Sequence, residues 1–151
     1  MLPAECRAWL VLYLPVKSIH MHKHKILIVD DDPKLSRLVK AILEKTDLYE
    51  VQEENRSSAA VLAARAFMPE LILLDVDMPG KDGGDIARDL QADPVLRRIP
   101  VVFLTSLMSH GEAGRRAVER GGMLFLAKPV EPPVLIGTIG RILKEEPATA
   151  M

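Results

Sequence analysis

Five polar residues stand at or just beyond the ends of short apolar runs in this 151-residue chain. Asp30 and Asp31 follow the run from Ile26 to Val29. Asp75 follows Leu71 to Leu74, Thr105 follows Val101 to Leu104, and Lys128 closes the run from Met123 to Leu126 after Ala127. Three carboxylates held close together repel, so they either take up protons or hold a cation. Oxygen-only ligands favour a hard ion, and Mg²⁺ is held by a few carboxylates with waters and phosphate oxygens. The set contains no Cys or His, which argues against zinc. A lysine ammonium suits one phosphate oxygen, and a threonine hydroxyl can donate to another. A carboxylate beside a metal can itself be the nucleophile and form an acyl phosphate. Lys128 and Mg²⁺ would then offset charge on the transferring group, where most of the catalysis of phosphoryl transfer lies.

That chemistry requires the five residues to meet. The four apolar runs are of strand length and do not alternate with polar residues, which marks strands buried on both faces of a parallel sheet. "YEVQEE" from Tyr49 is more polar and suits an edge. Helical patterns lie between the runs. Leu35, Leu38, Val39, Ile42 and Leu43 share a face, behind Asp32 as cap and Pro33 at the first helical position. Ser57 or Ser58 opens an Ala-rich helix ending before Pro69, and Gly83 to Leu90 holds a short one. Ser109 with Glu112 forms a capping box for a fourth. Pro132 and Pro133 begin a fifth, whose apolar set is Leu135, Ile139, Ile142 and Leu143. Five strands alternating with five helices predict an α/β, flavodoxin-like, doubly wound parallel sheet of order 2-1-3-4-5 with helices on both faces. In such a sheet the carboxyl ends of the strands line one crevice, and there the five residues converge.

Composition narrows the alternatives. A formal net charge of −1 gives no basic excess for nucleic acid and no acidic tail for a basic partner. One cysteine, Cys6, excludes an internal disulfide and fits a reducing compartment. "AWLVLYLPV" at residues 8–16 is too short to span a bilayer. It is also poor as a signal peptide, with Glu5 beside Arg7, Pro15 inside and no small-residue cleavage site. We therefore expect a cytoplasmic protein with no membrane contact. Its expected parts are a loose extension over residues 1–24 (with Met21 a plausible natural start), one domain over 25–145 and a tail over 146–151. His20, His22 and His24 alternate at strand spacing and could face a transition metal. No carboxylate or thiolate in that stretch completes a shell, so they read as a solvated lead-in to the first strand.

At four places in order, the chain resembles the receiver domain of two-component response regulators. "ILIVDDDP" resembles the acidic pair after strand one, and "LILLDVDMPGKDGG" the phosphoacceptor strand and loop. "IPVVFLTS" carries the hydroxyl residue and "FLAKPV" the lysine–proline pair. The resemblance runs from about Lys25 to Lys144. It implies that Asp75 is the phosphoacceptor, that Asp31 ligates Mg²⁺ directly and Asp30 largely through water, and that the Asp77 carbonyl completes the protein ligands. Thr105 and Lys128 would hold the phosphoryl oxygens. Phe125 would be the aromatic that rotates with Thr105, and Leu107 a modulating position. The Lys128–Pro129 bond would be cis, which proline makes accessible.

The chain also departs from the family pattern. Ser106 stands where alanine is usual, a harmless change to a small residue. Met123 and Leu124 replace a frequent acidic pair, which makes that face more apolar and implies a different partner or self-association as a homodimer. The Asp77 carboxylate stands where a hydrolytic water would approach and should slow loss of the phosphoryl group. The resemblance further implies a phosphodonor, either a sensor histidine kinase or a histidine phosphotransfer protein. It also implies a protein target on the face of the fourth helix, fifth strand and fifth helix. With no output domain on the chain, readout would fall to another protein or to onward transfer.

Two other readings compete. "LLDVDMPG" also resembles the Asp-x-Asp strand of haloacid-dehalogenase-like phosphohydrolases, with Asp77 as general acid/base. In that family, however, the nucleophile strand comes first and the acidic pair last, and here the order is reversed. A receiver-like scaffold that is never phosphorylated should have lost an acid or the lysine, and this chain retains all of them.

Overall fold

The apolar runs form strands because their side chains have core on both sides. In the computed structural model, which describes residues 22–108 and 116–144, β1 (His24–Val29), β2 (Tyr49–Glu54), β3 (Leu71–Asp75) and β4 (Val101–Thr105) lie parallel with β6 (Met123–Ala127). Alternate residues enter different cores. Ile26, Ile28, Leu71, Leu73, Val102, Leu104 and Leu126 join the layer that contains Val39, Leu43, Leu135 and Ile139. Leu27, Val29, Ile72, Leu74 and Phe103 join the one that contains Ala60, Ala64, Ile86 and Leu90. Each fully buried Leu or Ile contributes about 1.5–3 kcal/mol over its exposed state. These two layers account for the unbroken hydrophobicity of the runs.

The helices follow from their caps and stripes. Asp32 accepts from the Lys34 N–H (3.0 Å) at the start of α1 (Pro33–Glu44), with Pro33 in the first turn. Of its expected inner face, Val39 and Leu43 are buried, whereas Leu38, at the flank of the stripe, is exposed. A short 3₁₀ turn (Ser57–Ala59) leads into α2 (Ala60–Phe67). Asp82 accepts from the Asp85 N–H (2.8 Å) and caps α3 (Gly83–Ala92). Pro132 and Pro133 open α4 (Pro132–Leu143). α1 and α4 cover one face of the sheet and α2 and α3 the other.

The expected flavodoxin-like order of the parallel strands is present, with one correction. The sheet has six strands, ordered β2-β1-β3-β4-β6-β5, because β5 (Val118–Arg120) pairs antiparallel with β6. Val118–Arg120 holds a single apolar residue and carries no strand-length run, so no strand is expected there from sequence. Gly121 and Gly122, at φ +60° and +80°, instead form the two-residue turn of a hairpin. Positive φ at both central positions matches the twist of the flanking strands. The capping box itself lies outside the described residues, as do residues 1–21 of the expected 1–24 extension, His20 among them, and the tail over 146–151.

Candidate functional site

The strand ends deliver the expected residues to one crevice. Asp30, at the end of β1, is fully buried, and Asp75, at the end of β3, is 3% exposed. Lys128, just past β6, reaches between them. Its Nζ lies 2.9 Å from Asp30 Oδ2 and 2.9 Å from Asp75 Oδ1. Asp30 Oδ1 accepts from the Asp32 N–H (2.9 Å) and Asp75 Oδ1 from the Asp77 N–H (3.3 Å). Thr105 is buried at the end of β4, and its Oγ1 accepts from the Leu107 N–H (3.1 Å). Lys128–Pro129 is cis, as expected.

The electrostatics reflect crowding. Burial raises the Asp75 carboxyl above its ordinary pKa, and the Asp30 charge adds to this, against the lowering effects of Lys128 and the Asp77 N–H. Burial acts to lower the Lys128 pKa, yet the close contacts and charges of Asp30 and Asp75 hold it above its ordinary value. One ammonium thus serves two buried carboxylates. Asp30 Oδ2 is at ion-pair distance from Lys128 but has no aligned hydrogen bond, and it is the unsatisfied buried side-chain oxygen of the described residues. The exposed Asp31 adds a third carboxylate, and one oxygen from each of Asp30, Asp31 and Asp75 lies within 4.8 Å of the others. An unsatisfied buried oxygen in an all-oxygen cluster fits a small hard cation such as Mg²⁺.

Three residues that position this site were not singled out from the sequence. Asn55 Nδ2 donates to the Asp30 carbonyl (2.8 Å) and to Ser36 Oγ (2.9 Å), and Ser36 Oγ donates to Glu53 Oε2 (2.8 Å). This half-buried network fixes the turn between β1 and α1. Gly83 packs against the end of β3, where a Cβ would stand 2.4 Å from the Asp75 carbonyl oxygen. Any larger residue there must displace the strand end that carries Asp75. A glycine at a helix start signals such close approach only once the partner strand is known.

Phe125 stacks on Phe103, with centroids 5.2 Å apart. The cleft beside β5, β6 and α4 is lined by Arg116, Arg120 and Arg141 with Glu119 and Leu124. Asp77 and Leu107 are exposed on the loops above the crevice.

A family model described as the response regulator receiver domain matches residues 26–140. The chain belongs to the response regulator receiver family. Its relatives include response regulator PleD of Caulobacter vibrioides, 38% identical over 115 residues, which cover 76% of this chain and 25% of PleD. Protein PilH of Pseudomonas aeruginosa is 34% identical over 121 residues, covering 79% of this chain and 97% of PilH. The chain thus spans about a quarter of PleD and nearly all of PilH. Among solved structures, the receiver domain of a Pseudomonas aeruginosa sensor histidine kinase, described with a magnesium ion in its active-site cleft, superposes with a TM-score of 0.66. It is 28% identical and covers 80% of this chain and 97% of that one. The receiver domain is a phospho-acceptor module of two-component signalling. The haloacid-dehalogenase reading of Asp75 and Asp77 gains no support from these matches. No helix of the described residues is long and apolar enough to cross a membrane.

Proposed function

We propose that Asp75 accepts a phosphoryl group from a phosphohistidine on a sensor histidine kinase or a histidine phosphotransfer protein, and that this switches the domain between two signalling states. The observation that carries the reading is Lys128 Nζ at 2.9 Å from both buried carboxylates. A carboxylate oxygen of Asp75 attacks phosphorus as the P–N bond breaks, and the imidazole leaves with the bonding pair. Lys128 then follows the charge from the carboxylates onto the phosphoryl oxygens. The Thr105 hydroxyl donates to one of those oxygens, which leaves its own oxygen still able to accept from Leu107. Held by Asp30, Asp31, Asp75 and the Asp77 carbonyl, Mg²⁺ would supply further charge compensation on the phosphoryl oxygens.

Movement of Thr105 toward the phosphoryl group opens space behind it, and Phe125 shifts from its stack on Phe103. The face of β5, β6 and α4 thereby changes. Its three arginines against one glutamate suit a protein partner that presents carboxylates around an apolar contact at Leu124. Self-association through the exposed Met123 is the competing use of the same face. We read residues 25–145 as the receiver unit, acting in the cytoplasm on its own aspartate rather than turning over a substrate. Asp77, exposed beside the acceptor, repels an attacking water and prolongs the phosphorylated state.

Intact mass after incubation with acetyl phosphate tests the proposal. A single Mg²⁺-dependent phosphoryl adduct is expected on the wild type and none on Asp75→Asn. An adduct that persists in Asp75→Asn would refute the assignment. Followed over time in the same assay, the adduct on Asp77→Ala should decay faster, and an unchanged lifetime would remove Asp77 from the account.

A further inference from the structure

The amino ends of β1 and β3 carry a second cluster with different chemistry. Strand periodicity puts His22 and His24 on one side of the chain entering β1. Lys23 and Lys25 turn elsewhere, Lys23 to Asp47 (2.9 Å) and Lys25 to the Phe67 carbonyl (3.5 Å) and ring. The carboxylate missing from that stretch of sequence comes from 46 residues away. α2 ends at Met68 in the left-handed conformation (φ 51°), and Pro69 follows. The Glu70 N–H then donates to the Lys25 carbonyl (2.8 Å). This reversal sets the Glu70 side chain against both imidazoles. His24 Nδ1 lies 2.5 Å from Glu70 Oε2 and His22 Nε2 lies 3.4 Å from Oε1. The two rings stand edge to face at 5.5 Å.

We propose that His22, His24 and Glu70 form a binding site for a divalent late-transition ion of the zinc type. One donor atom from each residue lies within 4.8 Å of the others. Ligands about 2.0–2.1 Å from a tetrahedral ion stand roughly 3.3 Å apart, so modest side-chain rotation suffices. His22, 78% exposed in its side chain, can make that adjustment without disturbing the core. Two imidazoles and one carboxylate, with water in the remaining position, are a donor set that zinc accepts. Borderline nitrogen ligands select such ions over Mg²⁺. The Glu70 carboxyl is held below its ordinary pKa. Burial acts to raise it, but the His24 contacts, the Lys25 backbone and His22 outweigh that effect. The bound ion would clamp the chain entering β1 to the loop entering β3. Five strand steps, roughly 17 Å, separate it from the acidic crevice.

Calorimetric titration of the full chain with Zn²⁺, in excess Mg²⁺ to fill the acidic crevice, tests the site. One equivalent should bind to the wild type and to Cys6→Ser. His22→Gln and Glu70→Gln should each weaken binding by at least about tenfold, since even a supporting residue of a metal site contributes that much. The thermal midpoint should rise with Zn²⁺ in the wild type and stay fixed in His22→Gln, because a ligand stabilises only the state that binds it. Absence of binding, or affinity unchanged in both variants, would overturn the proposal. So would loss of binding in Cys6→Ser. His22 is too exposed for its replacement to unfold the chain, and phosphorylation of Asp75 is a separate readout in every variant.

Discussion

At the carboxyl ends of the strands, Asp30 and Asp75 are at most 3% exposed and share one lysine. At the amino ends of β1 and β3, His24 and His22 keep 27% and 78% of their side-chain surface around one glutamate. Both clusters place acid against base, but the balance of forces differs. In the crevice, desolvation and like-charge repulsion exceed what one ammonium offsets, so Asp75 is raised in pKa. At the other end, burial acts to raise Glu70, but the contacts of His24, the Lys25 backbone and His22 together outweigh it, so Glu70 is lowered. The first cluster holds more negative charge than its lysine offsets, and a cation would complete it. In the second, Glu70 already has two imidazole partners, and a metal adds only what the geometry allows.

Removing Lys128 should break this contrast most severely. Lys128→Met leaves two buried carboxylates without their cation. Breaking a buried ion pair from one side costs about 3–5 kcal/mol. We expect a loss of that order in denaturant unfolding without metal, and no adduct from acetyl phosphate. Mg²⁺ should restore much of the stability but not the reactivity. If stability were unchanged without metal, Lys128 would not be the offsetting charge.

A change of opposite sign follows at Asp75. Its raised pKa means the folded state prefers the protonated form, so its contribution to stability is present at low pH and lost as pH rises through the folded pKa. Asp75→Asn imitates the protonated form at every pH. Without metal at pH 7 it should raise the thermal midpoint by roughly 2–4 °C, the shift expected for about 1 kcal/mol in a chain of this size. That advantage should shrink as pH falls through the folded pKa. Melting curves of both proteins across acidic and neutral pH check it, and a gap that widens toward acid would reverse the sign.

The crevice was legible in the sequence because each of its residues ends an apolar run, and parallel strands bring such ends together. Asp30, Asp75, Thr105 and Lys128 needed no knowledge of tertiary contacts. Glu70 was not legible, because it closes the imidazole cluster through a backbone bond to Lys25, 45 positions earlier in the chain. Asn55 and Ser36 hold the Asp30 turn by side-chain bonds that no periodicity encodes. β5 was missed for another reason. Its three residues include one apolar side chain, too little to read as a strand-length apolar run. The Gly121–Gly122 pair between two short runs was the available signal for a hairpin.

The hairpin offers the gentlest test, since it borders the cationic cleft and touches neither cluster. Gly122 holds φ +80° with open space around its Cα. Gly122→Ala would therefore meet no clash, and its effect would be conformational alone, about 1 kcal/mol. Hydrogen exchange should show loss of protection at Val118–Arg120, because β5 is an edge strand with one neighbour. Yield of the Asp75 adduct and affinity for Zn²⁺ should stay at wild-type values. A fall in adduct yield would mean that β5 pairing reaches Lys128 through β6. The edge strand would then belong to the phosphoryl crevice rather than only to the face that reports its state.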